Sequence, residues 1–315
     1  MSSFSGSREA FTQALIDMSE KDERTVFISS DSLKAMRAVP FEQRFPDRYI
    51  EVGIAEQSAV DVAAGLASCG MIPFVGTYAG FITMRACEQL RTFVAYTGMN
   101  VKFAAINGGL LGGEREGVTH QFFEDLGIVR SIPGITVLTP ADQYQVYGAV
   151  RKSVEIEGPV YIRCASGREP VVYTPDIPFT FGKNRLVREY GHDVAVFSSG
   201  FILDKAIEAV DLLHSQGIEA TLVDVSTLKP LDVEGTVKVL SDCGAAVTIE
   251  DHNIIGGLAS AIAETSARSC PVPVEYVGLM DKFPESGEAS SLLDKYEISP
   301  GAVIKAVARV LGRKK

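Results

Sequence analysis

Hydrophobic and polar positions run along this chain in two rhythms. The segment "SREAFTQALIDMSEKD" spaces its apolar residues as one face of a helix, with Ser7 as the expected cap. The run "TVFISSD" reads as a buried strand that ends in polar residues. Next comes "AEQSAVDVAAGLASCG", a helix rich in small residues and closed by Gly70. Strand-like "IPFVGTY", helix-like "ACEQLRTFVAYTG" and strand-like "VKFAAING" follow. After them stand the strand "ITVLTP", the helix "ADQYQVYGAVRKSVEIEG" and the strand "GPVYIRC". Alternating β and α segments of this kind predict a mostly parallel sheet covered on both faces. A proline-bearing stretch over residues 169–190, "EPVVYTPDIPFTFGKNRLVREY", reads as a linker. Beyond it the alternation resumes with "DVAVFSSG", "FILDKAIEAVDLLHSQG", the strand in "IEATLVDVSTLKPLD" with a turn at Pro230, "AAVTIEDH", "GGLASAIAETSA" and "PVEYVGL". The expected fold is therefore α/β, with two doubly wound units over residues 1–186 and 187–315.

Composition narrows this picture. The 315 residues are 46% hydrophobic and 22% charged, enough apolar mass for two buried sheets. No run approaches 18 uncharged apolar residues, so a membrane span is not expected. The N-terminus "MSSFSGSREAFTQAL" lacks an apolar signal core, which makes the cytoplasm the expected location. A net charge of −10 and the lack of a basic stripe argue against nucleic-acid binding. The closing "GRKK" reads as a solvated tail. Five scattered cysteines (Cys69, Cys87, Cys164, Cys243, Cys270) form no CxxC pair, so they read as small core residues or incidental thiols.

Ligands of open α/β sheets bind beyond the carboxyl ends of the strands. That rule selects the turns at Ser29–Asp31, Gly53–Gln57, Gly76–Phe81, Asn107–Gln121 and Arg163–Arg168. In "RYIEVGIAEQSAVDVAAGLAS", Glu56 stands among small and apolar residues at a strand-to-helix turn. It is either a solvated helix-start residue favoured by the helix dipole or a carboxylate held in a pocket. The loop "NGGLLGGEREGVTHQ" holds five glycines, an arginine and His120, one of four histidines in the chain. Loops of this length are usually functional or disordered. On the residues alone, His120 is either a functional group or a capped loop histidine.

The strings "EVGIAEQ", "AAGLASCGMIPFVGTYAGFITMRACEQLR", "GEREGVTHQ" and "PGITVLTPAD", followed by "LVDVSTLKPLD" and "VTIEDHNIIGGLASAIAE", resemble the transketolase family in order and spacing. The resemblance covers nearly the whole chain. It corresponds to the C-terminal half of a full-length transketolase, namely the pyrimidine-binding domain and the C-terminal domain. The GDG-type motif with a downstream Asn, which holds the cofactor diphosphate and its metal in the family, is not found. The resemblance thus implies one subunit of a split transketolase. Thiamine diphosphate would be shared with an N-terminal-type companion subunit, which would hold most of the Mg2+ or Ca2+ contacts. A two-plus-two heterotetramer with self-association is the implied assembly.

Residue by residue, the resemblance assigns Glu56 as the carboxylate that hydrogen-bonds the cofactor aminopyrimidine. Tyr78, Phe81 and Met84 fall on the aromatic cluster around that ring, with plain core packing as the lesser alternative for Phe81. Met84 is a departure, a thioether where an aromatic is usual. Asp31 matches an acidic residue near the cofactor. His120 matches the histidine beside the substrate carbonyl and hydroxyl. Arg8, in "GSREAF", matches an arginine at the phosphate end of the substrate channel. Glu116 stands where an Asp is usual, in a loop one residue longer than GEDG, and Arg115 is a candidate anion contact. Asn107 replaces a histidine. No serine matches the phosphate-contact position, and Lys34 is the nearby candidate. The substrate arginine after "GPVYIR" is displaced: Ser166 holds the ungapped position, Arg168 aligns only with an insertion, and Arg163 reads as structural. Glu250 and His252 are implied to be structural too. These grouped departures predict an unusual ketose donor, such as apulose 4-phosphate or a sulfonated sugar. Two enzyme alternatives stay open, a 1-deoxyxylulose-phosphate synthase-like chain and a 2-oxo acid dehydrogenase β subunit-like chain. A non-catalytic scaffold copy is the third.

Overall fold

The computed structural model describes residues 4–113, 115–165, 167 and 169–314. The first unit runs α1 (Ser7–Ser19), β1 (Thr25–Ser29), α2 (Val39–Arg44), β2 (Tyr49–Glu51), α3 (Glu56–Ser68) and β3 (Ile72–Tyr78). It continues through α4 (Cys87–Gln89), flanked by π-helical turns at Phe81–Arg85 and Leu90–Ala95, then β4 (Lys102–Ile106), α5 (Asp125–Ser131), β5 (Thr136–Leu138), α6 (Gln143–Ser153) and β6 (Val160–Arg163). The second unit comprises β7 (Arg185–Glu189), β8 (Val194–Ser199), α7 (Leu203–Ser215), β9 (Ala220–Asp224), β10 (Thr227–Lys229), α8 (Val233–Cys243), β11 (Ala246–Asn253), α9 (Leu258–Ser269), β12 (Val274–Leu279), α10 (Ala289–Lys295) and α11 (Pro300–Leu311). No helix among the described residues is long and apolar enough to cross a membrane.

The strands build two sheets, ordered β10-β5-β6-β4-β3-β1-β2 and β12-β11-β8-β9-β7. Every pairing is parallel except β10 with β5 and β7 with β9. β1, β4 and β8 are buried at every position, as strands of a sheet covered on both faces must be. The fold is thus the α/β arrangement expected, with three differences of detail. Gly6, not Ser7, takes the position before α1; the Ser7 N–H donates instead to Glu169 Oε1 at 2.5 Å. The stretch read as a linker contains β7, an edge strand whose mixed exposure hides it among prolines. β10 leaves the second unit to pair with the first sheet. Thr139 secures that crossing: its N–H donates to Ser226 O and its hydroxyl to Val225 O, each at 2.9 Å.

Candidate active site

Glu56 opens α3, and the turn before it is fixed by polar contacts. Ser30 Oγ donates to Gly53 O at 2.8 Å and accepts from the Ala55 N–H at 3.2 Å. Glu51 Oε1 accepts from the N–H groups of Asp31 (2.7 Å) and Gly53 (2.8 Å), and Glu51 Oε2 accepts from the Tyr49 hydroxyl at 2.7 Å. Burial opposes the Glu51 charge, but these donors outweigh it and lower its pKa. Of the two readings of Glu56, the solvated helix-start one fails, because the side chain is only 2% exposed. Its Oε2 accepts from Arg85 Nη1 at 2.7 Å. Arg85 also lies with its guanidinium carbon 4.3 Å from the Phe81 ring centroid, a cation–π distance.

Four rings gather beside this pair. The centroids of Tyr78 and Phe81 lie 5.4 Å apart, and the His120 ring sits edge-on to both, at 5.0 and 5.6 Å. Phe122 completes the cluster, 5.2 Å from Phe81. Gly80 makes room for it: a Cβ there would lie 1.9 Å from the Phe122 ring. Met84, expected as the third cluster member, is 44% exposed on the same π-helical turn, and Phe122 holds the interior place. Thr119 Oγ1 stands 3.0 Å from His120 Nδ1, and among the described residues His120 Nε2 makes no hydrogen bond.

At the ends of β4 and β6 the structure brings two expected substrate residues together. Arg8 Nη2 donates to Asn107 Oδ1 at 2.5 Å, while Nη1 and Nε donate to the carbonyls of Ala35 (3.0 Å) and Ala165 (3.4 Å). Asn107 is buried and left-handed (φ 57°), a conformation asparagine tolerates well. Asp31 and Lys34 are exposed on the β1–α2 turn, Asp31 also left-handed (φ 48°). Arg115 reaches out to Glu288 of the second unit at 3.4 Å, and Glu116 is exposed. Ser166 and Arg168 lie outside the described residues.

Arg163 is buried and structural. Its Nε and Nη2 donate to Asp125 at 3.1 and 2.9 Å, Nη1 to Asp251 O at 2.9 Å, and Nη2 also to Phe122 O at 3.3 Å. Glu250 accepts the N–H groups of Leu258 and Ala259 at 2.7 and 2.8 Å, capping α9. Burial pushes the Glu250 carboxyl up to about 7 and the His252 imidazole down to about 4. His252 is thus neutral, with Nδ1–H donating to Asn253 O (2.6 Å) and Nε2 accepting from the Gly127 N–H (3.3 Å). Its approaches to Asp125 and Glu250 near 4 Å are contacts of a neutral ring, not ion pairs. Arg85, Phe122, Asp125 and Asp251 are the site-region residues that sequence reading missed. Only the aromatic pair in "THQFF" carried a local signal for any of them.

The site thus holds a buried carboxylate paired with a guanidinium, beside aromatic rings set at steep angles to one another and an imidazole edge-on to two of them. Among the described residues no group of three or more His, Cys, Asp and Glu could hold a metal ion.

Residues 6–167 match the family description "Transketolase, pyrimidine binding domain", and residues 182–303 match "Transketolase, C-terminal domain". The chain is 38% identical over 307 residues to the 6-deoxy-6-sulfo-D-fructose transketolase subunit SqwH of Clostridium sp. (strain MSTE9), covering 98% of this chain and 95% of that protein. It is 32% identical over 299 residues to one subunit of the apulose-4-phosphate transketolase of Phocaeicola vulgatus, covering 95% of both. A solved structure of a split gene transketolase, an inactive β4 tetramer, superposes with a TM-score of 0.88 at 38% identity, covering 98% of this chain and 99% of that one. Both family matches fall on the two units, in order, and the chain belongs to the transketolase family as a split-type subunit with pyrimidine-binding and C-terminal domains.

Proposed function

We propose that this chain is the pyrimidine-side subunit of a thiamine diphosphate-dependent transketolase, active only with an N-terminal-type companion in a two-plus-two heterotetramer. The observation that carries the reading is the burial of Glu56 beside the Tyr78–Phe81–His120 cluster. The boundary between the pyrimidine-binding and C-terminal units is assigned near residue 187, at β7. When bound, the cofactor supplies the nucleophilic carbon that accepts and passes on a two-carbon ketol unit. Glu56 would hold a ring nitrogen of the aminopyrimidine and would favour the tautomer that can take up a proton. Phe81 and Tyr78 would flank the ring, with Met84 at the rim and Asp31 on the neighbouring turn. His120 Nε2 donates to the oxygen on which negative charge develops. Arg8 and Asn107, as a hydrogen-bonded pair, with Arg115, Glu116 and Arg168, select the sugar. The companion holds the diphosphate and its divalent metal.

The substituted sugar-facing positions support a donor outside the common pentulose phosphates. A sulfonated ketose or a branched-chain ketose phosphate fits them, and both kinds stand among the named relatives. The test is kcat/KM of the assembled enzyme with 6-deoxy-6-sulfofructose, apulose 4-phosphate and xylulose 5-phosphate as donors. Preference for xylulose 5-phosphate ends the donor assignment. Ketol transfer from none of a broad ketose panel ends the transketolase reading.

A further inference from the structure

The loop that carries His120 takes its shape from a carboxylate of the other unit. Asp251, on β11, is 4% exposed. Its Oδ1 accepts from the Leu110 N–H at 2.7 Å and its Oδ2 from the Leu111 N–H at 3.0 Å. The loop presses against this carboxylate without slack. Gly109 is left-handed (φ +88°), and a Cβ there would lie 2.3 Å from Asp251 Oδ2. Two residues beyond Leu111, a Cβ on Gly113 would fall 2.2 Å from the His120 carbonyl oxygen, so the anchored limb abuts the His120 backbone. The limbs also close on each other. The Gly109 N–H donates to Phe122 O at 2.7 Å, and Arg163, whose Nη1 holds the Asp251 carbonyl, reaches that same oxygen at 3.3 Å. The outer limb rests on the second unit too, through Gln121 Nε2 donating to Glu285 O at 3.0 Å.

We propose that Asp251 is a positioning residue: it fixes the path of the glycine-rich loop and thereby sets the His120 imidazole against Tyr78 and Phe81. The chemistry requires a carboxylate. An ionised carboxylate accepts two N–H groups with no hydrogen of its own in the way. Asparagine would turn its NH2 toward one of the two amides and leave a buried N–H without an acceptor. Glu250, one residue away on the same strand, is the built-in control. It also accepts two backbone N–H groups, but those belong to α9, not to the loop.

The test compares Asp251→Asn with Glu250→Gln in the full chain. Hydrogen exchange over residues 107–122 and the NMR signal of the His120 ring are read first, then kcat and KM with the companion present. Asp251→Asn is expected to speed exchange across the loop about tenfold and to shift or broaden the His120 signal. It should lower kcat by roughly ten- to a hundredfold, the scale of a small misplacement of a reacting group, with little change in KM. Glu250→Gln is expected to leave both loop readouts at wild-type values. Wild-type loop exchange and an unmoved His120 signal in folded Asp251→Asn overturn the proposal. Should that variant not fold, Gly109→Ala disturbs the same contact from the loop side, and unchanged loop readouts there overturn it equally. The kinetic arm rests on the proposed function, whereas the exchange and NMR arms do not. A moved loop in a protein whose wild-type form transfers no ketol unit supports the role of Asp251 while sinking the transketolase reading.

Discussion

Glu56→Gln separates structure from chemistry at the position that carries the functional reading. Glutamine has the shape of glutamate and keeps hydrogen-bonding capacity toward Arg85, so packing around α3 is conserved. The electrostatic terms nearly cancel. Arg85 is 45% exposed, so solvent screens the ion pair and its loss costs at most about 1 kcal/mol. Against that, the substitution removes a charge from a side chain only 2% exposed, which relieves its desolvation and offsets that loss. Unfolding free energy in urea is therefore expected to change by less than about 1 kcal/mol. Turnover responds differently. A glutamine amide neither takes nor gives a proton, and a positioned acid–base group is worth roughly 10²- to 10⁴-fold. The assay pairs urea unfolding of the chain with steady-state ketol transfer by the assembled enzyme. Turnover within threefold of wild type refutes the catalytic assignment. A stability loss above about 3 kcal/mol would show instead that the carboxylate is a structural ion-pair partner.

Gly80→Ala drives a methyl group into the Phe122 ring, which then displaces Phe81 and His120. Overpacking of this kind costs about 1–3 kcal/mol, and a cofactor titration should weaken about tenfold; unchanged affinity would mean the cluster does not form the slot. Arg163→Met leaves Asp125, fully buried, without its cation and should lose roughly 3–5 kcal/mol in urea unfolding. Adding Asp125→Asn should recover part of that loss; a strictly additive double variant argues against the coupling. Lys102 is buried, and desolvation lowers its pKa from 10.5 to about 7 although Asn100 Oδ1, Ile156 O and Gly158 O accept its hydrogen bonds. Between those values the unfolded chain binds the proton that the folded chain releases. Stability should thus rise with pH across that window, by up to about 1.4 kcal/mol per unit, and Lys102→Met should flatten the rise in urea unfolding at pH 7, 8 and 9.

Local pattern encoded what lies within one element, and tertiary pairing decided the rest. Strands β1 and β4 were legible because both faces are covered, which leaves an unbroken apolar run. β7 was not, because an antiparallel edge strand keeps mixed polarity. β10 gave no sign that it joins the first sheet, since its partner β5 lies some ninety residues earlier. Helices α2, α5, α8, α10 and α11 were not read out, the last of them although its apolar face packs into the second core. The turns that hold Glu56, Tyr78, Asn107 and His120 were legible because a topological rule selects the loops beyond parallel strands. Asp125 and Asp251 were not, because their partners are backbone amides and an arginine distant in sequence.

Met84 and Arg85 make the same point at the scale of one helical turn. An ordinary α-helix pairs residues three and four apart, and family resemblance put Met84, three beyond Phe81, into the ring cluster. The turn here is wider. The Ala86 N–H reaches back five residues to Phe81 O at 3.2 Å, and Thr83 Oγ1 donates to Ala79 O at 2.9 Å. This π-helical winding takes in about one more residue per turn than an α-helix. Arg85, four beyond Phe81, stacks on its ring, and Met84 is 44% exposed. From this turn the Arg85 guanidinium also reaches the Glu56 carboxylate, 2.7 Å from Oε2. It changes the charge next to the proposed proton-handling group without altering any motif residue.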